Sequence, residues 1–475
     1  MPKLPLLSLC LFLCTSIMSC VSVGPDYTAP TLATPTAWNN LDQHELAHSG
    51  QTNVGQWWQG FDDPLLSKLI DQALANNLDL RSAETSLRQA RARRVVATAG
   101  LFPSLNTAGS VRGSQVSLPG GGIQTRENYA TSLDAGWELD IFGGVRRSVE
   151  AAEADIQAYQ ARVYGAQATL AAEVAISYVQ LRTLQERLRI NRDNLAHQQE
   201  TLQLTQWRVQ AGLADSLAAA QAQAQVEQTR AQIPALETSL AETKHSLDIL
   251  LAQQPGTLHQ KLAVPASLPS LPQDIAVSIP ADTLRQRPDL MAAERVLAAE
   301  TARVGVAEAA RYPTFKLSGS IGLDALTFGG LSQSGALGSS LLAGITAPLF
   351  QGGRLKAQVD IQDAQREQAL INYEQTLLTA LEEVENALVA LSNSAERIQA
   401  LDQATQAAHL AATLAQQRYE SGMVDFQSVL DTQRSLLSAQ DSLANASADN
   451  VLSLIRLYKA LGGGWSQVSD PNTKE

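Results

Sequence analysis

Residues 417–433 read QRYESGMVDFQSVLDTQ, and Gly422 interrupts a stretch that is helical in character on both sides. Glycine inside a helix costs about 1 kcal/mol relative to alanine, so the break needs a reason. The same break recurs in WRVQAGLADSLAAAQAQ, residues 207–223, where Arg208 and Arg418, Gly212 and Gly422, and Asp215 and Asp425 stand 210 apart. Working outward, AETSLRQARARRVVATAGLFPSL from Ala83 matches AERVLAAETARVGVAEAARYPTF from Ala293, with Pro103 and Pro313 at the same offset of 210. Gly143-Gly144 and Gly352-Gly353 slip by one residue. A fixed offset held this long marks a duplication, and each half should build the same unit.

Each unit reads in three parts. A helical run stops at Pro103 or Pro313, because proline and its predecessor end helices. An alternating stretch follows. YATSLDAGWELDI puts Tyr129, Thr131, Leu133, Ala135, Trp137, Leu139 and Ile141 on one face and Ser132, Asp134, Glu138 and Asp140 on the other. FKLSGSIGLD sets Phe315, Leu317, Ile321 and Leu323 against Lys316, Ser318, Ser320 and Asp324. Strands are expected near 104–116, 127–142, 314–325 and 338–350, one hairpin per half. A one-sided soluble sheet gives the same alternation, which leaves that reading open.

The third part is a very long helix on each side of the glycine. Leu181, Leu188, Leu195, Leu202 and Val209 fall seven apart, as do Leu377, Val384, Leu391 and Ile398. That spacing is coiled-coil packing. The glycine is then a tight turn between antiparallel helices, where Gly212 and Gly422 take a backbone conformation other residues resist.

Composition agrees with this plan. The 475 residues are 45% apolar with 5% aromatics, and the net charge is −12, so neither wholesale disorder nor a basic nucleic-acid surface is indicated. Beyond the leader no segment has the 18 or so uninterrupted apolar residues of a membrane helix. Four strands of this length can cross a bilayer obliquely, but open edges cannot exist in lipid, so a barrel must be shared between subunits.

All three cysteines, Cys10, Cys14 and Cys20, lie at the front. Lys3, an apolar run from Leu4 to Met18 and then IMSC form a signal peptide ending in a lipobox-like site; the other reading is a secretory signal with an incidental cysteine. The resemblance to bacterial lipoproteins implies cleavage before Cys20 and lipid attachment to it. HELAH, His44 to His48, spells a zincin motif, which raises a zinc-dependent hydrolase. It sits in a polar segment with weak helical patterning, no HxxGxxH extension follows, and His197, His245, His259 and His409 are scattered. No metal site, P-loop or nucleophile elbow is assigned.

CVSVGPDYTAP from Cys20, WWQGFDDPLLSKLIDQALANNLDLRSAE from Trp57 and LRQRPDLMAAE from Leu284 resemble the TolC-like outer membrane factors, in the lipoprotein branch containing OprM and NodT. The resemblance implies a mainly α chain with a transmembrane β-barrel portion: a homotrimer whose four strands per chain make one 12-stranded barrel, continued by an α-helical tunnel through the periplasm. It implies a passive exit duct of a tripartite efflux pump, joined by a periplasmic adaptor to an inner membrane transporter. No enzyme activity or nucleic-acid partner is expected, and no cofactor beyond lipid on Cys20. A type I protein-secretion channel is the alternative within this architecture. A soluble coiled-coil scaffold leaves the lipobox and the amphipathic hairpins unexplained.

The expected layout is a signal peptide at 1–19, a lipidated segment with equatorial helices at 20–82, a first repeat at 83–262, an inter-repeat segment at 263–292, a second repeat at 293–464 and a polar tail at 465–475. By the same resemblance, Arg208, Gly212, Asp215, Arg418, Gly422 and Asp425 form adaptor-contact tips. Asp431 and Tyr419 belong to a periplasmic gate, with Gln221 at the first-half place of Asp431. Ala218 and Val424 replace charged latch partners. Tyr129, Leu133, Trp137 and Leu139 are expected to face lipid, and Asp134, Glu138 and Asp140 the lumen.

Overall fold

The computed structural model describes residues 22–31, 35–39, 54–117, 119–272 and 284–465. The chain divides into two compact units, one of Met1–Thr31, Ser86–Gln160 and Ala292–Glu374, the other of Leu32–Thr85, Ala161–Met291 and Gln375–Glu475. A short 3-10 turn, Val54–Phe61, precedes helices α1 (Pro64–Asn76) and α2 (Leu78–Ala99). Strands β1 (Ser104–Ser117) and β2 (Ile123–Leu139) follow, then α3 (Gly144–Gln210) and α4 (Ser216–Leu250). The pattern repeats as α5 (Pro288–Ala309), β3 (Thr314–Ala325), β4 (Leu337–Thr346), α6 (Arg354–Glu420) and α7 (Phe426–Ala460). Adding 210 to both ends of α2, α3 and α4 gives both ends of α5, α6 and α7, so the duplication governs these helices residue for residue.

In the first unit the sheet order is β1-β2-β3-β4, all antiparallel. Directly opposed residues share a face. One row runs Leu105, Ala135, Gly319, Leu341 and another Leu139, Phe315, Ile345, while Asn106, Asp134, Ser320 and Ser340 line the opposite face. The alternation expected for Tyr129 to Leu139 therefore continues across the whole sheet.

Three strand bounds differ by more than one residue from the sequence expectation. β2 starts at Ile123, directly after Gly120, Gly121 and Gly122, whose positive φ angles turn the hairpin. It ends at Leu139, because Asp140 leaves the strand and caps α3: its carboxylate accepts from Val145 N at 3.0 Å and Arg146 N at 2.9 Å. Asp140 is thus a capping residue and no member of the polar strand face, and Ile141 lies outside the strand as well. β4 stops at Thr346 and not at 350, since Pro348 has no N–H to donate to a ladder.

The N-terminal segment of this unit is strapped down by Arg147, which is 4% exposed. Its Nε donates to Val23 O at 3.1 Å, Nη2 to Gly24 O at 3.3 Å and to Asp26 Oδ1 at 2.7 Å. Gly24 has φ +90 and lies directly against Gly305, where a Cβ on Gly24 would collide, while one on Gly305 would run into the Arg147 side chain. Val23 N also donates to Phe142 O at 3.1 Å.

In the second unit the WWQGFDDPLL motif builds the core. Trp57 stacks on Tyr458 with ring centroids 5.7 Å apart and meets Trp58 and Phe61 edge-on. Leu66, Leu69, Ile70, Leu454, Ile455 and Leu457 are buried around them. Full burial stabilises by about 1.5–3 kcal/mol per large apolar side chain. Asp63 caps α1, accepting from Leu65 N at 2.9 Å and Leu66 N at 3.0 Å. Along the long helices Leu181, Leu188, Leu377, Val384 and Leu391 are buried, and Leu195, Leu202, Val209 and Ile398 half-buried, as the seven-residue spacing anticipates.

Candidate functional site: the hairpin ends

Both long helices end the same way. Gly212 and Gly422 adopt φ +70 and +73, the left-handed cap conformation. Leu213 N donates to Arg208 O and Met423 N to Arg418 O, both at 2.8 Å, which satisfies the last helical carbonyls. Asp215 and Asp425 then cap the returning helices. Asp425 accepts from Ser428 N at 3.1 Å and Ser428 Oγ at 2.8 Å, and these bonds hold its carboxyl below the usual range. Four of the six expected tip residues therefore have a structural task in the turn itself.

The two arginines part company. Arg418 is exposed, whereas Arg208 lies over the Tyr419 ring at 4.5 Å and donates through Nη1 to the Tyr419 carbonyl. Tyr419 is 3% exposed; its hydroxyl donates to Thr205 Oγ1 at 3.2 Å and its ring meets Phe426 edge-on. Ala222, Val429 and Leu430 complete this cluster, with Ala218 and Val424 packed against it. The two places where charged latch partners were looked for are thus part of an apolar plug. Asp431 is exposed one turn further along α7, accepting from Gln427 Nε2 at 2.9 Å. Gln221 is half-buried.

Sequence reading missed a second constellation on α3. Tyr178 donates to Asp63 Oδ2 at 2.7 Å, and Arg182 donates to Tyr178 Oη at 3.0 Å. Arg182 also reaches Val264 O at 2.9 Å, and Gln185 Nε2 reaches Leu262 O at 2.8 Å. Burial, reinforced by the Asp63 hydrogen bond, pushes the Tyr178 phenol up to about 12. The signal was present: Asp63 sits inside the quoted WWQGFDDPLL, but its partners lie 115 and more residues away.

Cys20 and HELAH lie outside the described residues, as does most of the inter-repeat segment beyond residue 272. Among the described residues no cluster of three or more His, Cys, Asp or Glu could hold a metal, and no helix is long and apolar enough to cross a membrane.

A sheet with one apolar face, joined to paired 67-residue helices that end in glycine turns, defines a channel-forming outer membrane protein. The chain belongs to the outer membrane efflux protein family, whose model matches it twice, over residues 69–253 and 279–463. Both bounds differ by 210, the same duplication again. Nodulation protein T of Rhizobium leguminosarum bv. trifolii is 32% identical over 464 residues, covering 95% of this chain and 96% of that protein. The pyoverdine export outer membrane protein OpmQ of Pseudomonas putida is 35% identical over 470 residues, covering 96% and 97%. The solved structure of the outer-membrane channel OprN superposes with TM-score 0.87 at 36% identity, over 94% of this chain and 99% of that one. The protein is an outer membrane efflux duct of the OprM/NodT type and not an enzyme.

Proposed function

We propose that three copies close their sheets head to tail into one 12-stranded barrel, continued into the periplasm by the long helices as a tunnel. The carrying observation is the sheet order β1-β2-β3-β4, which leaves β1 and β4 each with an unpaired edge among the described residues while one face is apolar. Such edges are incompatible with lipid unless a further copy pairs with them. The tips around Gly212 and Gly422 meet a periplasmic adaptor that couples the duct to an inner membrane transporter. Exposed Arg418 is the side chain best placed to do so, because Asp215 and Asp425 are occupied as caps. Asp431, repeated three times, narrows the entrance and favours cations, and the Tyr419 plug holds each pair of hairpins together behind it. Cys20 carries the lipid that anchors the N-terminus.

The named relatives carry the names of nodulation and pyoverdine export, so one architecture accompanies different cargoes. Native mass spectrometry from mild detergent, followed by planar-bilayer recording, tests the assembly. A trimer with discrete channels is expected, with conductance raised and divalent-cation block weakened by Asp431→Ala. A monomeric species without channels would remove the proposal.

A further inference from the structure

In the second unit α3, α4 and α7 enclose a groove of about 710 Å³ lined by Arg187, Asn191, Gln225, Gln228, Arg434 and Asp441, among others. Its position on the helices is informative. Arg182 and Gln185 of α3 face residues 262–264, while Arg187 and Asn191 point about half a turn round the helix. On α7, Asp431, Arg434, Ser438 and Asp441 recur at spacings of three and four, which is a single face. The groove therefore shares a face with Asp431 and turns away from the segment strapped to α3. Resting on the duct reading above, this is the inner wall of the tunnel, just beyond the acidic entrance.

Its charges are unevenly matched. Arg187 is neutralised by Asp441, with Nε to Oδ1 at 2.6 Å and Nη2 to Oδ2 at 3.2 Å. Arg434 has only a neutral amide: its Nε donates to Gln225 Oε1 at 2.7 Å, and it forms no ion pair among the described residues. Guanidinium groups held this way present a flat pair of donors suited to a carboxylate. Asn191 is 3% exposed; its Nδ2 donates to Arg187 O at 2.9 Å, and its Oδ1 has no partner. That oxygen is sealed from solvent, so Asn191 offers no contact to a ligand and Arg434 is the groove's available charge.

We infer that this groove is a cargo subsite on the inner wall, taking a carboxylate on Arg434. The acidic entrance and the basic groove then act in series, the first holding a cation or ammonium group while the second receives the acid end.

Calorimetric titration of citrate into the detergent-solubilised full-length trimer tests this. Citrate should bind the wild type, and Arg434→Gln should weaken it about tenfold or more, as loss of a charge-assisted bond does. Gln225→Glu, which keeps the pair but supplies Arg434 with an internal carboxylate, should do the same and covers the case in which Arg434→Gln does not assemble. Conducting trimers that fail to bind citrate, or bind it equally in both variants, overturn the subsite and leave the duct intact. A wild type that forms no conducting trimer removes the duct reading itself, and the inner-wall assignment goes with it.

Discussion

The two halves share a backbone and divide the work. At mid-helix the first half carries Tyr178, Arg182 and Gln185, whose hydrogen bonds hold Asp63 and residues 262–264. The places 210 further on are Leu388, Ser392 and Ala395, shorter or apolar side chains. At the hairpin end the specialisation reverses. Tyr419, Phe426 and Asp431 stand where the first half has Val209, Ser216 and Gln221. Conserving helix lengths while side chains diverge lets the first half fasten Asp63 and residues 262–264 and the second build the apolar plug at its hairpin end. Residues that broke the repeat are therefore the informative ones.

The largest test of that comparison is Tyr419→Ala, which empties the centre of the apolar plug and should cost about 3–5 kcal/mol locally. Val209→Ala, at the half-buried matching place, should cost far less. Amide hydrogen exchange across the two hairpin ends reads the difference, and equal loss of protection would erase it.

Next in size is Tyr178→Phe, expected to destabilise by about 2 kcal/mol at neutral pH through loss of a bond to a charged acceptor. The phenol titrates near 10 when unfolded and about 12 when folded, so the unfolded chain loses the proton first. The stabilisation is complete below pH 10 and declines as pH rises towards 12. Thermal unfolding of wild type and variant should converge across that window; curves that stay parallel would place the Tyr178 contribution elsewhere.

The smallest effect should be the same on both sides. Gly212→Ala and Gly422→Ala each force a left-handed conformation on a side chain, costing about 1 kcal/mol. Nothing lies within 4 Å of a Cβ at Gly212, and at Gly422 only Arg208 Nη2 at 3.6 Å, an ordinary contact. Unequal melting shifts would show that one turn has a second task beyond the backbone.

What the sequence disclosed follows from what is local. Gly212, Gly422, Pro103 and Pro313 act on their own backbone, so the turns and helix ends were legible, and the offset of 210 fixed the helices together. The alternation from Tyr129 to Leu139 likewise exposed the sheet face. Asp140 was misread because alternation continues through it, while its carboxylate answers to two amide groups of the helix ahead. Side chains whose partners are remote stayed hidden. Tyr178 with Asp63, Arg147 with Asp26, and Arg208 with Tyr419 are separated by 115, 121 and 211 residues. No short window contains both members of such a pair.

Arg147 gives the N-terminal strap a mechanical meaning. Ser22 lies so close to Gly143 that a Cβ on the glycine would collide with it, which seats the strap at the start of α3. Two residue steps along the chain separate Ser22 from Cys20, a leash of about 7 Å at full stretch. A lipid carried on Cys20 would thus be tethered to one level of the protein, where β2 gives way to α3, and would work as a depth stop that sets how far the barrel sinks into the bilayer.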